Sequence, residues 1–318
     1  MMPPTINHFI GQSQAVALFQ TALDAACNDG TRLPHMLFTG PPGVGKTTLA
    51  LLAGKEMAVR VHERLGQTLE TPALVNGLLM EAENKDIIFI DEAHELPRPC
   101  QTVLYRAMDD QTVFLNGDGR RTWRLPVADF TLILATTDEF ALLAPLRDRF
   151  KITAPFSWYD PTDLVRIVTQ RAQMLSITLA HEVAELIAAR SKGTPRLAIR
   201  LLESCLRVAR SRNDNEVTVA HFYATVDLEQ IDALGLSRDE QRYLRHLAAK
   251  HGEPVRLITL ESALGLHRRT IQTVIEPFLI REGLCERLPT GRAITLSGLQ
   301  HLGLDAGPRT TTAEGEIA

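Results

Sequence analysis

Long apolar runs are missing from this sequence. None approaches the ~18 residues that a membrane-spanning helix needs. The opening, "MMPPTINHFIG", has no basic stretch followed by an apolar one, so no secretory signal is read there and a cytoplasmic protein is expected. Cysteine is scarce. Cys27, Cys100, Cys205 and Cys285 lie far apart and form no CxxC pair, which speaks against a disulfide framework or a zinc ribbon. Aromatic residues make up only 5% of the chain, as in many helix-rich proteins. Positive charge is not in excess either. With a net charge of −4, any nucleic-acid contact has to come from a local patch and not from the field of the whole protein.

What is present is enough for two or three domains: 318 residues, 45% of them hydrophobic. The stretch "GQSQAVALFQTALDAACNDG" puts Ala15, Val16, Phe19, Ala22, Leu23 and Ala26 on one helical face and ends on a stop signal. Three short apolar runs follow, "HMLFTG", "DIIFIDE" and "DFTLILATT", with helical stretches between them. That alternation predicts an α/β fold with a parallel sheet covered on both faces. Between the second and third runs, "QTVFLNGDGRRTWRLPV" reads as a hairpin around Asn116-Gly117-Asp118-Gly119. It is either a plain loop or a partner contact. From Asp160 onward strand signals stop and four helical segments succeed one another. "DALGLSRDEQ" reads as a hinge into a third unit, with helices expected at 237–250, 257–264 and 268–282 and a short β-pair in "LCERLPTGRAITL". That is the order of a winged helix.

"GPPGVGKTT" satisfies GxxxxGK[ST] between an apolar strand and a helix. Gly40, Gly43 and Gly45, with Pro41, Pro42 and Val44 between them, let the backbone curl so that its N–H groups face phosphates. Lys46 is placed to reach the β and γ oxygens and Thr47 to ligate Mg²⁺, and Thr48 closes the nucleotide-binding motif. After the second run, Asp91 is expected to join the Mg²⁺ shell and Glu92 to polarise the attacking water. The two carboxylates could also merely cap a strand. Thr136 and Thr137 end the third run at the carboxyl edge of the sheet, where ligands of open α/β sheets sit, and Thr137 is placed to position the lytic water or sense the γ-phosphate. In "KGTPRLAIRLL", Thr194 is a good N-cap and Pro195 a good first helical residue. Arg196 then opposes the helix dipole by ~0.3–1 kcal/mol unless an anion lies nearby. Finally, "LLAPLRDRF" brackets Asp148 with Arg147 and Arg149. Either these charges pair with one another on a surface turn, or an arginine reaches a phosphate on a neighbouring chain.

Taken with "FIDEAHEL", "LYRAMDD", "APLRDRF" and "TIQTVIEPFLIREGL", these motifs resemble the AAA+ ATPases, and more narrowly the RuvB family of Holliday-junction branch-migration motors. The resemblance spans about Ile10 to Leu302. It implies an AAA+ core over 1–155, a helical lid over 156–231 and a winged helix over 232–303; the polar, aperiodic residues 304–318 are expected by their composition to be disordered. It implies ATP and Mg²⁺ as cofactors and Arg149 as a finger acting in trans on a neighbour's γ-phosphate, with Arg147 structural and paired to Asp148. By the same likeness Thr137 is sensor 1, Arg196 is sensor 2, and Tyr159 lines the nucleotide pocket. It implies a hexameric ring on duplex or Holliday-junction DNA, contacted by Arg287 and Arg292 of the wing. The residues themselves add Arg268 and Arg269 at the third helix of that unit. A RuvA-like partner is implied at the hairpin, 111–128. This sequence departs from the family in a short segment before "IGQ", a shorter hairpin carrying an exposed Trp123, and Thr290 where a wing arginine is common. Such a divergent member is expected to drive branch migration. The alternative is a clamp- or helicase-loader-like switch without sustained translocation.

Overall fold

The computed structural model describes residues 3–116, 122–250 and 252–304. By compactness the chain divides into two units: residues up to 171 together with 193–200, and 172–192 together with the rest.

In the first unit, α1 (Ser13–Asp29) buries Ala15, Phe19, Ala22, Leu23 and Ala26 of the face its spacing predicts, and Val16 of that face is half-buried. Gly30 stops it in the left-handed region at φ +65°. There follow β1 (Met36–Thr39), α2 (Lys46–Met57), β2 (Val61–Leu65), α3 (Pro72–Glu81), β3 (Ile87–Asp91) and α4 (Arg98–Asp110). A hairpin of β4 (Thr112–Asn116) and β5 (Thr122–Pro126) leads to β6 (Thr131–Thr136), α5 (Ala144–Arg147), β7 (Ile152–Pro155) and α6 (Pro161–Met174). The turn expected at Gly117–Gly119 lies outside the described residues.

The sheet runs β2-β3-β6-β1-β7, and every pair in it is parallel. Its inner strands are the three apolar runs. All six residues of β6 are buried, as a strand covered on both faces requires. The edge strands β2 and β7 are not legible as apolar runs. "VHERL" alternates, and "ITAP" is short and ends on a proline, which an edge tolerates. Register brings Thr39 opposite both Thr136 and Pro155, and Leu65 opposite Asp91. The carboxyl ends of the strands thus finish along one edge.

The second unit carries β8 (Thr178–Leu179), α7 (His181–Ala189), most of α8 (Pro195–Ser211), β9 (Glu216–Val217) and α9 (Val219–Glu229). Then come α10 (Arg238–Ala248), α11 (Leu257–Leu264), α12 (Arg268–Thr270), α13 (Glu276–Arg281), the antiparallel pair β10 (Cys285–Leu288) and β11 (Gly291–Ile294), and α14 (Leu296–His301). Three helical segments and a two-stranded wing form as expected, with one correction. The helix expected over 268–282 is interrupted by a π-turn at Ile271–Ile275. Pro277 supplies no N–H and its ring crowds the carbonyl four residues back, so the ladder widens there.

The sheet unit also buries a titratable histidine. His35 Nδ1 accepts the Leu132 N–H at 2.8 Å, which requires a neutral ring. Burial, with Arg32 and Lys151 adding to it against Asp129, pushes its pKa from 6.5 down to about 3. A group depressed in the folded state contributes stability above its unfolded pKa and loses it as the pH falls. Thermal stability should therefore decline from about pH 6.5 toward pH 4, by up to ~1.4 kcal/mol per pH unit. His35→Asn, which keeps an acceptor but does not titrate, should flatten that decline in a melting series. An unchanged slope would remove His35 as its source.

Candidate functional site

The loop between β1 and α2 forms by backbone curling at three glycines with positive φ: Gly40 at +141°, Gly43 at +77° and Gly45 at +106°. A Cβ on Gly40 would stand 2.2 Å from the Phe156 carbonyl oxygen, and one on Gly43 would stand 2.7 Å from Thr194 Cγ2. These glycines serve close approach as well as φ. Lys46 opens α2, is buried, and donates from Nζ to the Gly40 and Pro41 carbonyls, both at 2.7 Å. Burial lowers its pKa; Asp91 and Glu92 oppose that, and Arg196 adds to it. A phosphate in the loop would oppose it too, because an adjacent anion favours the charged ammonium.

The acidic strand end meets this loop. Thr47 Oγ1 donates to Asp91 Oδ2 at 2.6 Å, and the Glu92 amide donates to Asp91 Oδ1 at 2.9 Å. Glu92 sits at φ +50°, a left-handed conformation that costs a non-glycine residue ~1–2 kcal/mol. The β2–β3 crossing is tight there: a Cβ on Gly66 would lie 2.4 Å from the Glu92 carbonyl oxygen. One neighbour, His94, went unread in the sequence. His94 stands with Nδ1 3.2 Å from Thr136 Oγ1 and Nε2 3.5 Å from Glu92 Oε2, a bridge between the ends of β3 and β6. Thr136 is buried in this network, while Thr137 follows β6 as an exposed residue.

Tyr159 and Arg196 are brought to the same place from 119 and 156 residues beyond Gly40 (159 − 40 and 196 − 40). The Tyr159 hydroxyl donates to the Ile10 carbonyl at 3.0 Å, and its amide donates to the Gly193 carbonyl at 2.9 Å. Burial raises its pKa, so it stays a neutral donor. Gly11 lies against its ring, where a Cβ would come within 2.4 Å of Cε1. Gln12 makes reciprocal bonds with the Ser157 backbone at 2.7 and 3.0 Å. The short segment before "IGQ" is therefore docked, and Phe9 packs beside Gly45. α8 starts at Pro195 as its sequence predicts, and the Arg196 amide points at the Gly43 carbonyl, 3.4 Å away.

The charged turn resolves in an unforeseen way. Arg149 is held by its own chain: its guanidinium binds Asp109 in a fork, with Nε 2.8 Å from both carboxylate oxygens, and lies 4.9 Å over the Tyr105 ring. It also donates to the Pro145 carbonyl. The hydrogen bonds to Asp109 raise its pKa further. The pairing of Arg147 with Asp148 does not form; Arg147 stacks on Phe140, 5.0 Å from the ring centre. Asp109 and Tyr105 both come from "LYRAMDD".

The wing arginines share one buried acid. Glu276 is fully buried and binds Arg287 Nε at 2.6 Å and Arg292 Nε at 2.9 Å, while the Tyr243 hydroxyl donates to it at 3.1 Å. Arg287 and Arg292 are cross-strand partners, so Glu276 separates two like charges. The Arg292 side chain is only 15% exposed, whereas that of Arg287 is 47% exposed. Arg268 and Arg269 are exposed at α12, with Arg268 Nε 3.6 Å from Glu261.

A parallel sheet with a glycine loop after β1, and a Thr–Asp pair joining that loop to a neighbouring strand end, defines a nucleotide-binding P-loop ATPase of the AAA+ class. Residues 1–156 match the family model "Holliday junction DNA helicase RuvB P-loop domain", 159–232 "RuvB AAA lid domain" and 233–303 "RuvB C-terminal winged helix domain". The chain belongs to the RuvB family. It is 38% identical over 308 residues to the Holliday junction branch migration complex subunit RuvB of Saccharopolyspora erythraea, covering 96% of this chain and 87% of that one. A Mycobacterium RuvB is 39% identical over 308 residues, covering 96% and 86%. The structure of the Thermotoga maritima RuvB Holliday junction branch migration motor superposes with a TM-score of 0.84 at 32% identity, over 95% of this chain and 98% of that one.

Lys46→Ala should weaken fluorescent-nucleotide binding at least ~10-fold, the loss of a charge-assisted bond worth ~1.5–3 kcal/mol. Gly43→Ala should weaken it too and lower the melting temperature, since the Cβ meets Thr194. Wild-type affinity in both would remove the loop as the nucleotide site. Arg292→Ala should cost ~3–5 kcal/mol in denaturant unfolding by leaving Glu276 half-paired, and Arg287→Ala less. Equal costs would contradict the buried-pair reading.

Proposed function

We propose that this chain is the subunit of a ring-forming, ATP-driven DNA translocase that moves Holliday junctions, acting in the cytoplasm. The observation that carries the ATP half is the convergence of Lys46, Thr47, Asp91 and Glu92 at one sheet edge, with the Arg196 turn packed on Gly43. Among the described residues no helix is long and apolar enough to cross a membrane.

In this reading the amides of Gly43, Gly45 and Lys46 take the phosphate oxygens, and Lys46 exchanges its two carbonyl partners for them. Thr47 and Asp91 would hold Mg²⁺. Their hydroxyl and carboxylate oxygens are the donor type it takes, and one protein carboxylate plus substrate phosphates is its usual set. Bound there, the ion would neutralise charge on the β and γ phosphates. Glu92 orients the attacking water, with His94 and Thr136 steadying its carboxylate. Thr137 and Arg196 sense the γ-phosphate, and Tyr159 lines the base side of the pocket.

Arg149 serves the neighbouring subunit's phosphate. A guanidinium already aligned by Asp109 and Tyr105 loses little freedom when it docks. Duplex or junction DNA is met by Arg287, Arg268 and Arg269 as backbone contacts that read no sequence. A RuvA-like protein is met by the hairpin, where Phe114 and Trp123 are exposed.

The test is ATPase rate against protein concentration, with and without a four-way junction. The rate per subunit should climb with concentration and rise with DNA. Arg149→Ala and Glu92→Gln should each lose more than ~100-fold alone, given the ~10³–10⁵ a trans arginine supplies. Mixed together they should regain a measurable share, because each offers what the other lacks. A rate independent of concentration, or no recovery in mixed oligomers, would overturn the trans role. ATPase stimulated by DNA without junction movement would favour a loader.

A further inference from the structure

One exposed surface of the winged helix has a composition that its own packing does not explain. Residues 267–275 read "HRRTIQTVI": two arginines, a histidine and no acid, in a chain whose net charge is −4. Ile271 and Ile275 are buried in the core. Arg268, Arg269, Thr273 and Val274 are exposed, and Gln272 is half-buried. Val274 is 62% exposed, an apolar side chain left to water on the same stretch. The Gln272 side chain has no hydrogen-bond partner among the described residues.

The backbone fixes where this surface stands. The Glu276 amide donates to the Ile271 carbonyl, five residues back, so the turn has the wide π register. In that register the Gln272 carbonyl would be met by residue 277, and Pro277 has no N–H. Arg287 of β10 supplies the missing donor. Its Nη2 donates to the Gln272 carbonyl at 3.2 Å, while its Nε binds Glu276 at 2.6 Å. One guanidinium of the wing thus holds both ends of the turn. An anion met by the exposed side of Arg287 stands at a set distance from the Gln272 side chain. Thr273 Oγ1 donates to the Arg269 carbonyl at 2.7 Å, which uses its only hydrogen and leaves the oxygen an acceptor.

We propose that Gln272, Thr273 and Val274 form a base-reading surface, with which this helix enters the major groove of duplex DNA and prefers A·T pairs. This rests on the DNA reading above, in which Arg287, Arg268 and Arg269 meet phosphates, and adds residues that reach base edges. Phosphate contacts set the register, and base contacts discriminate. A glutamine amide matches the N6 donor and N7 acceptor of adenine as a bidentate pair, and an apolar side chain fits the thymine methyl. The Thr273 oxygen accepts from a base amino group. The hydrogen bond from Arg287 to the Gln272 carbonyl makes the two kinds of contact simultaneous, since the wing and the helix then stand on one duplex together. The single positive sign of the stretch favours a polyanion over a protein partner.

The experiment is competition binding by the full chain at one salt concentration, with A·T-rich and G·C-rich fluorescent duplexes of equal length. Wild type should favour the A·T-rich duplex at least ~5-fold. Replacing adenine by 7-deazaadenine removes N7 from the major groove and leaves the minor groove intact. That change should bring the factor to within about twofold of one. Gln272→Ala should do the same on unmodified duplexes, while binding to the G·C-rich duplex and ATPase without DNA stay near wild type. Val274→Ala should lower the factor in part, through the thymine methyl. The 7-deazaadenine arm uses the wild-type chain, so it decides even where a variant fails to fold. Equal affinity for both duplexes, with salt-sensitive binding retained, would overturn base reading and leave the DNA reading standing. A preference that survives both 7-deazaadenine and Gln272→Ala would also overturn it, because DNA shape would then be its source. A wild type that binds no duplex would overturn the DNA reading and this surface with it.

Discussion

A buried ammonium sets the terms for the nucleotide site. Lys46 opens a helix, where the dipole disfavours a cation, and it is removed from water as well. Two loop carbonyls and the nearby carboxylates of Asp91 and Glu92 make this tolerable. For those groups to be within reach, the loop has to double back over its own helix, which is what positive φ at Gly40, Gly43 and Gly45 permits. The loop in turn has to be clasped by Phe156 on one side and Thr194 on the other. The left-handed Glu92 and the close pass of Gly66 follow from bringing a second strand end to the same point.

The other charges that matter are governed by the same economy of pairing. Arg149 rests on Asp109 and Tyr105, the two wing arginines share Glu276, and Lys192 shares Glu240 with a helix cap. In each case an acid from a different element determines where a cation can be. Arg292 and Arg287 look equivalent in the sequence, but their partner distinguishes them. The inner one completes a buried cluster, and the outer one keeps a face toward solvent.

Much of the architecture could be read directly. The glycine loop, the apolar runs of β1, β3 and β6, the amphipathic face of α1 and the start of α8 at Pro195 depend on local chemistry, and they form where local chemistry places them. Edge strands were illegible because they bury one face or less, so β2 alternates and β7 is four residues long. The long helix drawn through Pro277 forms, but not as a regular α-helix. Apolar periodicity there persists across a residue that cannot sustain the backbone ladder, and the helix answers with a π-turn.

The sequence by itself determined that this chain binds phosphate. Glycines that curl, a lysine and a threonine at fixed offsets, and two acids after a buried strand carry their chemistry in local order. It also determined the succession of sheet, helical and winged-helix segments, since periodicity and turn residues are local properties. Tertiary structure decided which charge answers which. Asp109 lies 40 residues from Arg149, Glu240 48 residues from Lys192, and Glu276 33 residues from Tyr243. No spacing rule reaches across such separations. These partners meet only because packing of the cores carries their elements together, and burial then makes an unpaired charge too costly to leave.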